Sequence, residues 1–133
     1  CLDVGIIPVL CIGETQEDLD AGKREYRLKK QLMTAFSGLE VGDRKFFIAY
    51  EPVWAVGSGN PCDPKTAIDM HMWIAEEIRQ YTSQSVPILY GGSVHAGNVG
   101  SYISHHAIDG VLVGGASAKR ETLFDLIRAM ETP

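Results

Sequence analysis

One carboxylate in this sequence of 133 residues lies where a general base would be expected. Glu51 directly follows the apolar run from Phe46 to Tyr50, and the proline after it restricts its backbone to an extended conformation. Taken alone, such a glutamate is as consistent with a structural ion pair as with a catalytic base. The segment that follows Glu51 helps to decide between these two roles.

The segment from Pro52 to Cys62 has the composition of a hinged lid. It starts with the rigid run Pro52-Val53-Trp54, and its later part contains Gly57-Ser58-Gly59, which is how a loop with hinges at both ends is built. An ordinary loop with a buried tryptophan would leave the glycines unexplained. The lid therefore favours the catalytic interpretation of Glu51.

Two glycine pairs point to an anion. Gly91-Gly92 and Gly114-Gly115 each follow an apolar run and precede a helical segment. Glycine there allows positive φ and close approach of the backbone, so that N–H groups and a helix N-terminus can converge on a phosphate. Either pair alone is more simply explained by a tight turn, whereas two pairs on neighbouring strands favour a phosphate site.

The elements that must position these residues alternate between strand and helix. Four nearly continuous apolar runs are typical of strands buried on both faces: Val9 to Ile12, Phe46 to Tyr50, Val86 to Tyr90 and Val111 to Val113. Four strand-helix units predict an α/β fold with a parallel sheet, either doubly wound or part of a (βα)8 barrel. In both folds the ligand site lies at the carboxyl ends of the strands, where Glu51 and the glycine pairs are found.

Capping residues locate the first two helices. Thr15 and Asp18 form an N-terminal capping signal, and further on Asp63 is a cap with Pro64 at the first helical position. The expected apolar faces are Leu28, Leu32, Phe36 and Leu39 in the first helix, and Ala67, Met70 or His71, Ile74 and Ile78 in the second.

The remaining segments are less regular. A third helix at roughly 97–104 is weakly signalled, and the last helix has Ser117 as its expected cap. Its expected apolar stripe is Leu123, Leu126, Ile127 and Met130. The run from Cys1 to Gly5 has the pattern of a last helical turn closed by a glycine, which predicts that the chain is a piece of a longer protein.

Composition excludes several functions. A net charge of -5, with scattered Lys and Arg, argues against a nucleic-acid or anionic-membrane surface. No apolar run approaches the roughly 20 residues of a membrane span and no signal region is present, which predicts a cytoplasmic protein. The spacing of Cys1, Cys11 and Cys62 fits neither a disulfide framework nor a metal site, and nothing indicates a cofactor.

Three segments resemble the signature segments of the triosephosphate isomerase family, in that family's order and spacing. They are Tyr50-Glu51-Pro52-Val53-Trp54-Ala55-Val56-Gly57-Ser58-Gly59, Tyr90-Gly91-Gly92-Ser93 and Gly110-Val111-Leu112-Val113-Gly114-Gly115-Ala116-Ser117. Cys11-Ile12-Gly13-Glu14 is similar to the family's fifth strand end. The resemblance implies a (βα)8 TIM barrel, of which residues 1–133 supply the C-terminal half: the tail of helix four, then βα units five to eight.

This resemblance implies an isomerase of glycolysis and gluconeogenesis that interconverts dihydroxyacetone phosphate and glyceraldehyde 3-phosphate. Glu51 would move a proton between neighbouring carbons through an enediolate, and the lid would exclude water from it. The backbone N–H groups expected to hold the phosphate are those of Gly57, Ser93, Gly114 and Gly115.

The same resemblance assigns the lid and its latches to Pro52, Val53, Trp54, Ala55, Val56, Ser58, Gly59, Tyr90 and Glu14. Val56 and Leu112 would cover the base from solvent. Cys11 matches a family cysteine close to the base, but packing of a small buried residue explains it as well as chemistry does, and packing is the favoured interpretation.

The latches belong to two expected states of the lid. Tyr90 and Ser93 match positions whose side chains hold the lid closed. Glu14 and Trp54 match an interaction of the open form.

The electrophile that an enediolate requires is not expected in this chain. His71 falls within a helix, and His95, His105 and His106 lie away from any strand's carboxyl end, so all four are expected to be surface or packing residues. In the family the catalytic lysine, its neighbouring asparagine and the histidine come from the first four strands. The chain alone is therefore expected to bind phosphate weakly and turn over little, and the full-length protein is expected to be a homodimer.

Departures from the family pattern leave alternatives open. They lie at residues 60–64, 93–98 and 118–121, and they leave room for a paralogue that isomerises a tetrulose phosphate. A second alternative is a non-catalytic phosphate-binding or assembly module, but binding alone requires neither Glu51 nor the lid. A third, another phosphate-binding barrel enzyme, is disfavoured by the run Glu51-Pro52-Val53-Trp54.

Overall fold

A computed structural model describes residues 1–131, which form a parallel α/β sheet with helices. The strands are β1 (Val9–Ile12), β2 (Phe47–Tyr50), β3 (Ile88–Tyr90) and β4 (Gly110–Val111). The helices are α1 (Gln16–Asp20), α2 (Arg24–Phe36), α3 (Pro64–Ile78), α4 (Val99–Ile103) and α5 (Arg120–Glu131). Short 3-10 helices span Leu2–Val4, Val53–Ala55 and Gly115–Ser117. The predicted α/β class is confirmed.

The register of the sheet aligns the carboxyl ends of its strands. The order is β1-β2-β3-β4, and every neighbouring pair is parallel. Ile12 pairs with Tyr50, and Tyr50 pairs with Tyr90. The residues that follow these three strands, Gly13, Glu51 and Gly91, therefore lie side by side at the carboxyl end of the sheet.

Helices α2 and α3 bury the faces that the sequence predicts. Their buried residues are Leu28, Leu32 and Phe36 in α2, and Ala67, Met70, His71, Ile74, Glu77 and Ile78 in α3. All of them except His71 and Glu77 join one apolar cluster with the strand residues Ile12, Ile48, Tyr50, Ile88 and Tyr90. Each large apolar side chain buried in this way stabilises the fold by about 1.5–3 kcal/mol.

Two predicted caps and one predicted helix end are confirmed. Thr15 and Asp18 form a reciprocal capping box at the start of α1. The Asp63 side chain accepts from the Thr66 N–H at the start of α3, where Pro64 is the first helical residue. Gly5 closes the first helical turn with φ 77°, a left-handed conformation that favours glycine.

Other boundaries differ from the predictions. The first helix is interrupted: α1 ends at Asp20, Gly22 takes φ 66°, and α2 begins at Arg24. Leu39 lies beyond α2 and is 40% exposed. Periodicity cannot locate such a break, because the apolar face resumes in α2 with the same spacing.

The last helix also differs. Ser117 does not cap it but lies in a 3-10 turn, where its hydroxyl donates to the carbonyls of Val113 and Gly114, and α5 begins only at Arg120. Leu126 is buried, whereas Ile127 and Met130 are exposed. The predicted stripe is thus only partly covered, since α5 packs mainly on α4 and the 3-10 turn beside the edge strand β4. None of the helices within residues 1–131 is long and apolar enough to cross a membrane.

Candidate active site

Two glycines from neighbouring strands make room for Glu51. The Glu51 N–H donates to the Ile12 carbonyl at 2.8 Å, which continues the pairing of β1 with β2. An ideal Cβ on Gly13 would lie 1.8 Å from the Glu51 carbonyl oxygen, and one on Gly91 would lie 2.4 Å from Glu51 Cγ. A side chain at either position would displace the glutamate. Sequence reasoning missed this role, because it depends on the register of three strands.

Only the first of the two glycine pairs, Gly91-Gly92, is needed for space. In the described part of the chain, none of the paired glycines has a positive φ, so the expectation of positive φ there was wrong. Gly91 instead makes room for Glu51, and Gly92 makes room for Tyr90, whose hydroxyl would lie 2.1 Å from an added Cβ. Gly114 and Gly115 have nothing within 4 Å of such a Cβ, so they border open space.

A cavity of about 460 Å³ brings the predicted base and phosphate residues together. Its lining includes Glu51, Gly57, Ser93, Gly114 and Gly115, and also Val56 and Leu112. The remaining lining residues are Gly59, Gly91, Gly92, Val94, Val113 and Ala116. No lysine or arginine is among these lining residues, so an anion in the cavity would depend on backbone N–H groups.

The segment from Pro52 to Cys62 contributes Val56, Gly57 and Gly59 to the lining of this cavity, and several hydrogen bonds hold it in place. The Ser93 hydroxyl accepts from the Gly59 N–H at 3.1 Å and donates to the Ala55 carbonyl at 2.7 Å. Gly57 and Gly59 have φ 64° and 74°, a region that favours glycine. Val53 and Val56 remain 57% and 47% exposed.

Glu14 is the buried anchor for the start of this segment. It is 0% exposed, and its carboxylate accepts from Trp54 Nε1 at 3.0 Å and from the Tyr50 hydroxyl at 3.1 Å. Arg24 Nε lies 3.1 Å from the same carboxylate and supplies its counter-charge. Sequence reasoning paired Glu14 with Trp54 but missed Tyr50 and Arg24, which carry no recognisable local signal.

The contacts expected for an open and a closed lid occur together in this structure. The Trp54 indole is bound to Glu14 while Ser93 is bound to Gly59. Tyr90 also takes part, since its hydroxyl accepts from the Cys62 N–H at 3.0 Å.

Cys11 lies beside the base but is not poised as a nucleophile. The expectation that Cys11 is a buried packing residue was wrong, since Cys11 is exposed. Desolvation nevertheless raises the pKa of its thiol to about 11. The hydrogen bond that the thiol donates to Glu51, and the charge of that carboxylate, act in the same direction. Because these effects favour the protonated thiol at neutral pH, Cys11 is a poor nucleophile.

The histidines lie outside the cavity. His71 is fully buried in α3, where its Nδ1 lies 2.7 Å from the Ala67 carbonyl and its ring meets Tyr50 edge-on at 5.7 Å. His95 and His106 are exposed, and His105 stacks on His106. None of the four is among the described residues that line the cavity.

The fold and this cavity place the chain in the TIM-barrel class of α/β proteins, with its site at the carboxyl ends of parallel strands. A sequence model described as triosephosphate isomerase matches residues 1–130. The chain belongs to the triosephosphate isomerase family.

Individual relatives agree with this assignment. The chain is 39% identical over 130 residues to the triosephosphate isomerase of Aquifex aeolicus, which covers 96% of this chain and 53% of that protein. It is 37% identical over 131 residues to that of Protochlamydia amoebophila, covering 95% and 50%. For Hahella chejuensis the identity is 39% over 131 residues, covering 96% and 52%. The chain thus spans about half the length of the curated relatives it matches.

Proposed function

We propose that the full-length protein containing this chain is a triosephosphate isomerase. Residues 1–133 are then the C-terminal half of its barrel: the tail of helix four followed by βα units five to eight. The observation that carries the proposal is the cavity that Glu51 shares with Gly57, Ser93, Gly114 and Gly115. The names of the relatives support the same reaction.

Glu51 is the base of the proposed reaction. Its carboxylate removes a proton from the carbon next to the carbonyl of dihydroxyacetone phosphate, which leaves an enediolate. The hydroxyl proton then passes from the oxygen on the first carbon to the oxygen on the second, and the glutamic acid returns its own proton to the second carbon. This gives glyceraldehyde 3-phosphate, and atoms and electrons balance without a redox partner. Gly91 supports this role because a side chain there would displace the carboxylate, and Gly13 supports it because a side chain there would displace the Glu51 backbone.

The phosphate is held by backbone N–H groups. Those of Gly57, Ser93, Gly114 and Gly115 are the proposed donors, and all four residues line the cavity. These N–H groups bind a phosphate through fixed dipoles and without a charged side chain, so the bound ligand can still dissociate.

The lid completes the site by excluding water. Val56 and Leu112 line the cavity beside Glu51 and would cover it from solvent. Ser93 and Tyr90 are the latches of the closed lid, as their bonds to Gly59 and Cys62 suggest. The electrophile that polarises the carbonyl would come from the other half of the barrel.

The remaining parts of the proposal concern the whole protein. It would work in the cytoplasm, in glycolysis and gluconeogenesis, as a homodimer. The present chain alone would turn over little substrate, because it lacks the electrophile.

A direct assay tests this function. The full-length protein should be compared on dihydroxyacetone phosphate and on tetrulose phosphates, with the 133-residue chain measured in parallel. We expect turnover of the triose phosphate by the full-length protein and almost none by the chain alone. A preference for the tetrulose phosphate would indicate a paralogue, and phosphate binding without turnover would indicate a binding module.

A further inference from the structure

Two stacked tyrosines hold the residue at which the lid ends. Tyr102 of α4 is 1% exposed, and its ring stacks on Tyr90 with centroids 4.2 Å apart and planes 20° apart. The Tyr102 hydroxyl donates to the Cys62 carbonyl at 2.6 Å, and the Cys62 N–H donates to the Tyr90 hydroxyl at 3.0 Å. We call this arrangement of Tyr90, Tyr102 and the Cys62 backbone the tyrosine clasp.

Cys62 marks the boundary between the exposed lid and the helix behind it. Residues 56–60 are exposed, whereas Cys62 is 1% exposed. The next residue, Asp63, caps α3. Because the clasp binds both polar groups of the Cys62 backbone, a movement of the lid has to end at this residue.

The clasp is also connected to the base. Tyr90 is the last residue of β3, and Gly91 directly after it contacts Glu51. The ring of Tyr102 supports the Tyr90 ring from α4. A shift of Tyr90 would therefore move Gly91 against the glutamate.

We propose that Tyr102 is a positioning residue for lid closure. Its hydroxyl and ring hold Cys62 and Tyr90 in place, so that the segment carrying Gly57 closes over the cavity about a fixed end. Tyr102 is not among the residues that line the cavity, so it acts through Cys62 and Tyr90. This inference rests on the proposed function, which supplies the role of the lid. Burial raises the pKa of the Tyr102 hydroxyl above its ordinary value of 10, at which it is already protonated at neutral pH.

The test is Tyr102→Phe in the full-length protein, which removes the hydroxyl and keeps the stacked ring. We expect the affinity for 2-phosphoglycolate, whose carboxylate mimics the charge of an enediolate, to fall about fivefold, the usual net contribution of one hydrogen bond. The value of kcat/KM should fall in parallel. Affinity for inorganic phosphate should fall less, because three of the four proposed N–H donors, those of Ser93, Gly114 and Gly115, lie outside the lid.

Tyr81→Phe is the matched control. Tyr81 follows the far end of α3, where its ring stacks on Phe36 at 5.2 Å. Its variant should leave both affinities and kcat/KM unchanged.

Hydrogen exchange provides a readout that needs no turnover. The amide protons of Cys62 and Gly59 should exchange faster in Tyr102→Phe and at the wild-type rate in Tyr81→Phe. A Tyr102→Phe protein with wild-type exchange and a wild-type ratio of the two affinities would overturn the proposal.

So would a Tyr102→Phe protein that fails to fold where Tyr81→Phe folds, because the hydroxyl would then serve folding and not the lid. An inactive wild-type protein would overturn the proposed isomerase function instead, and the exchange measurement would still decide the role of Tyr102.

Discussion

Gly91 lies against the side chain of Glu51, close enough that an ideal Cβ on the glycine would be 2.4 Å from Cγ and 2.9 Å from Oε1 of the glutamate. The contact follows from the pairing of Tyr50 with Tyr90, which places the next residue of each strand side by side. The position of the proposed base is therefore set by a residue on another strand.

Replacing Gly91 by alanine should move Glu51. The nearest atoms are Cγ and the carboxylate, and Cγ cannot swing away without moving the whole side chain. Because a displacement of about 1 Å at a reacting group costs roughly a hundredfold in rate, we expect kcat of the full-length Gly91→Ala protein to fall by about that factor.

The matched control is Gly100→Ala in α4, where an added Cβ meets nothing within 4 Å. Its turnover should be unchanged, and alanine should raise its free energy of unfolding by about 0.5–1 kcal/mol. Full turnover by Gly91→Ala would show that Glu51 tolerates the extra methyl group.

Glu51→Asp withdraws the carboxylate by one methylene group and keeps its charge. We expect kcat of the full-length protein to fall by about a hundredfold or more, because the base no longer reaches the substrate carbon. Titration with inorganic phosphate should give an unchanged Kd, since the proposed phosphate donors are backbone N–H groups. Glu25→Asp, at an exposed site in α2, serves as the control. Unchanged turnover in Glu51→Asp would remove Glu51 from the mechanism.

Glu14 should matter for stability as well as for the lid. Glu14→Ala leaves Arg24 without its counter-charge and removes the acceptor for Trp54 and Tyr50. Breaking a buried ion pair in this way should lower the free energy of unfolding by about 3 kcal/mol. This is the lower end of the usual range, which applies because the Arg24 side chain is 20% exposed.

Urea unfolding of the full-length protein measures this loss, with the exposed Glu40→Ala as control and an expected change within about 0.5 kcal/mol. Equal stability of the Glu14 and Glu40 variants would show that the network contributes nothing to folding.

His71 should make the protein less stable in acid. Burial is the main cause that lowers its pKa below the ordinary value of 6.5. The unfolded chain therefore binds a proton at a higher pH than the folded protein does. The stability is complete above pH 6.5 and falls as the pH drops below it, with a slope of at most about 1.4 kcal/mol per pH unit from this group.

Denaturant titrations between neutral and mildly acidic pH can isolate this effect. The His71→Gln protein should show a shallower loss of stability than the wild type, whereas the exposed His106→Gln should follow the wild-type curve. Parallel curves for all three proteins would contradict the assignment to His71.

The sequence by itself determined the features that depend on neighbouring residues. The Thr15 capping box, the Asp63 cap with Pro64, and the left-handed Gly5 each involve a few consecutive residues, and local patterns predicted all of them. The parallel α/β class followed from the alternation of apolar runs with helical periodicity. The family followed from contiguous motifs, and the match over residues 1–130 confirmed it.

The tertiary structure decided which distant residues meet. The fit of Gly91 against Glu51, the burial of Glu14 with Arg24 and Tyr50, and the bond from Tyr102 to Cys62 all join separate elements. Their geometry depends on strand register and on how each helix packs against the sheet. A change of one residue in register would turn every side chain of a strand to the opposite face, and no local pattern carries that information.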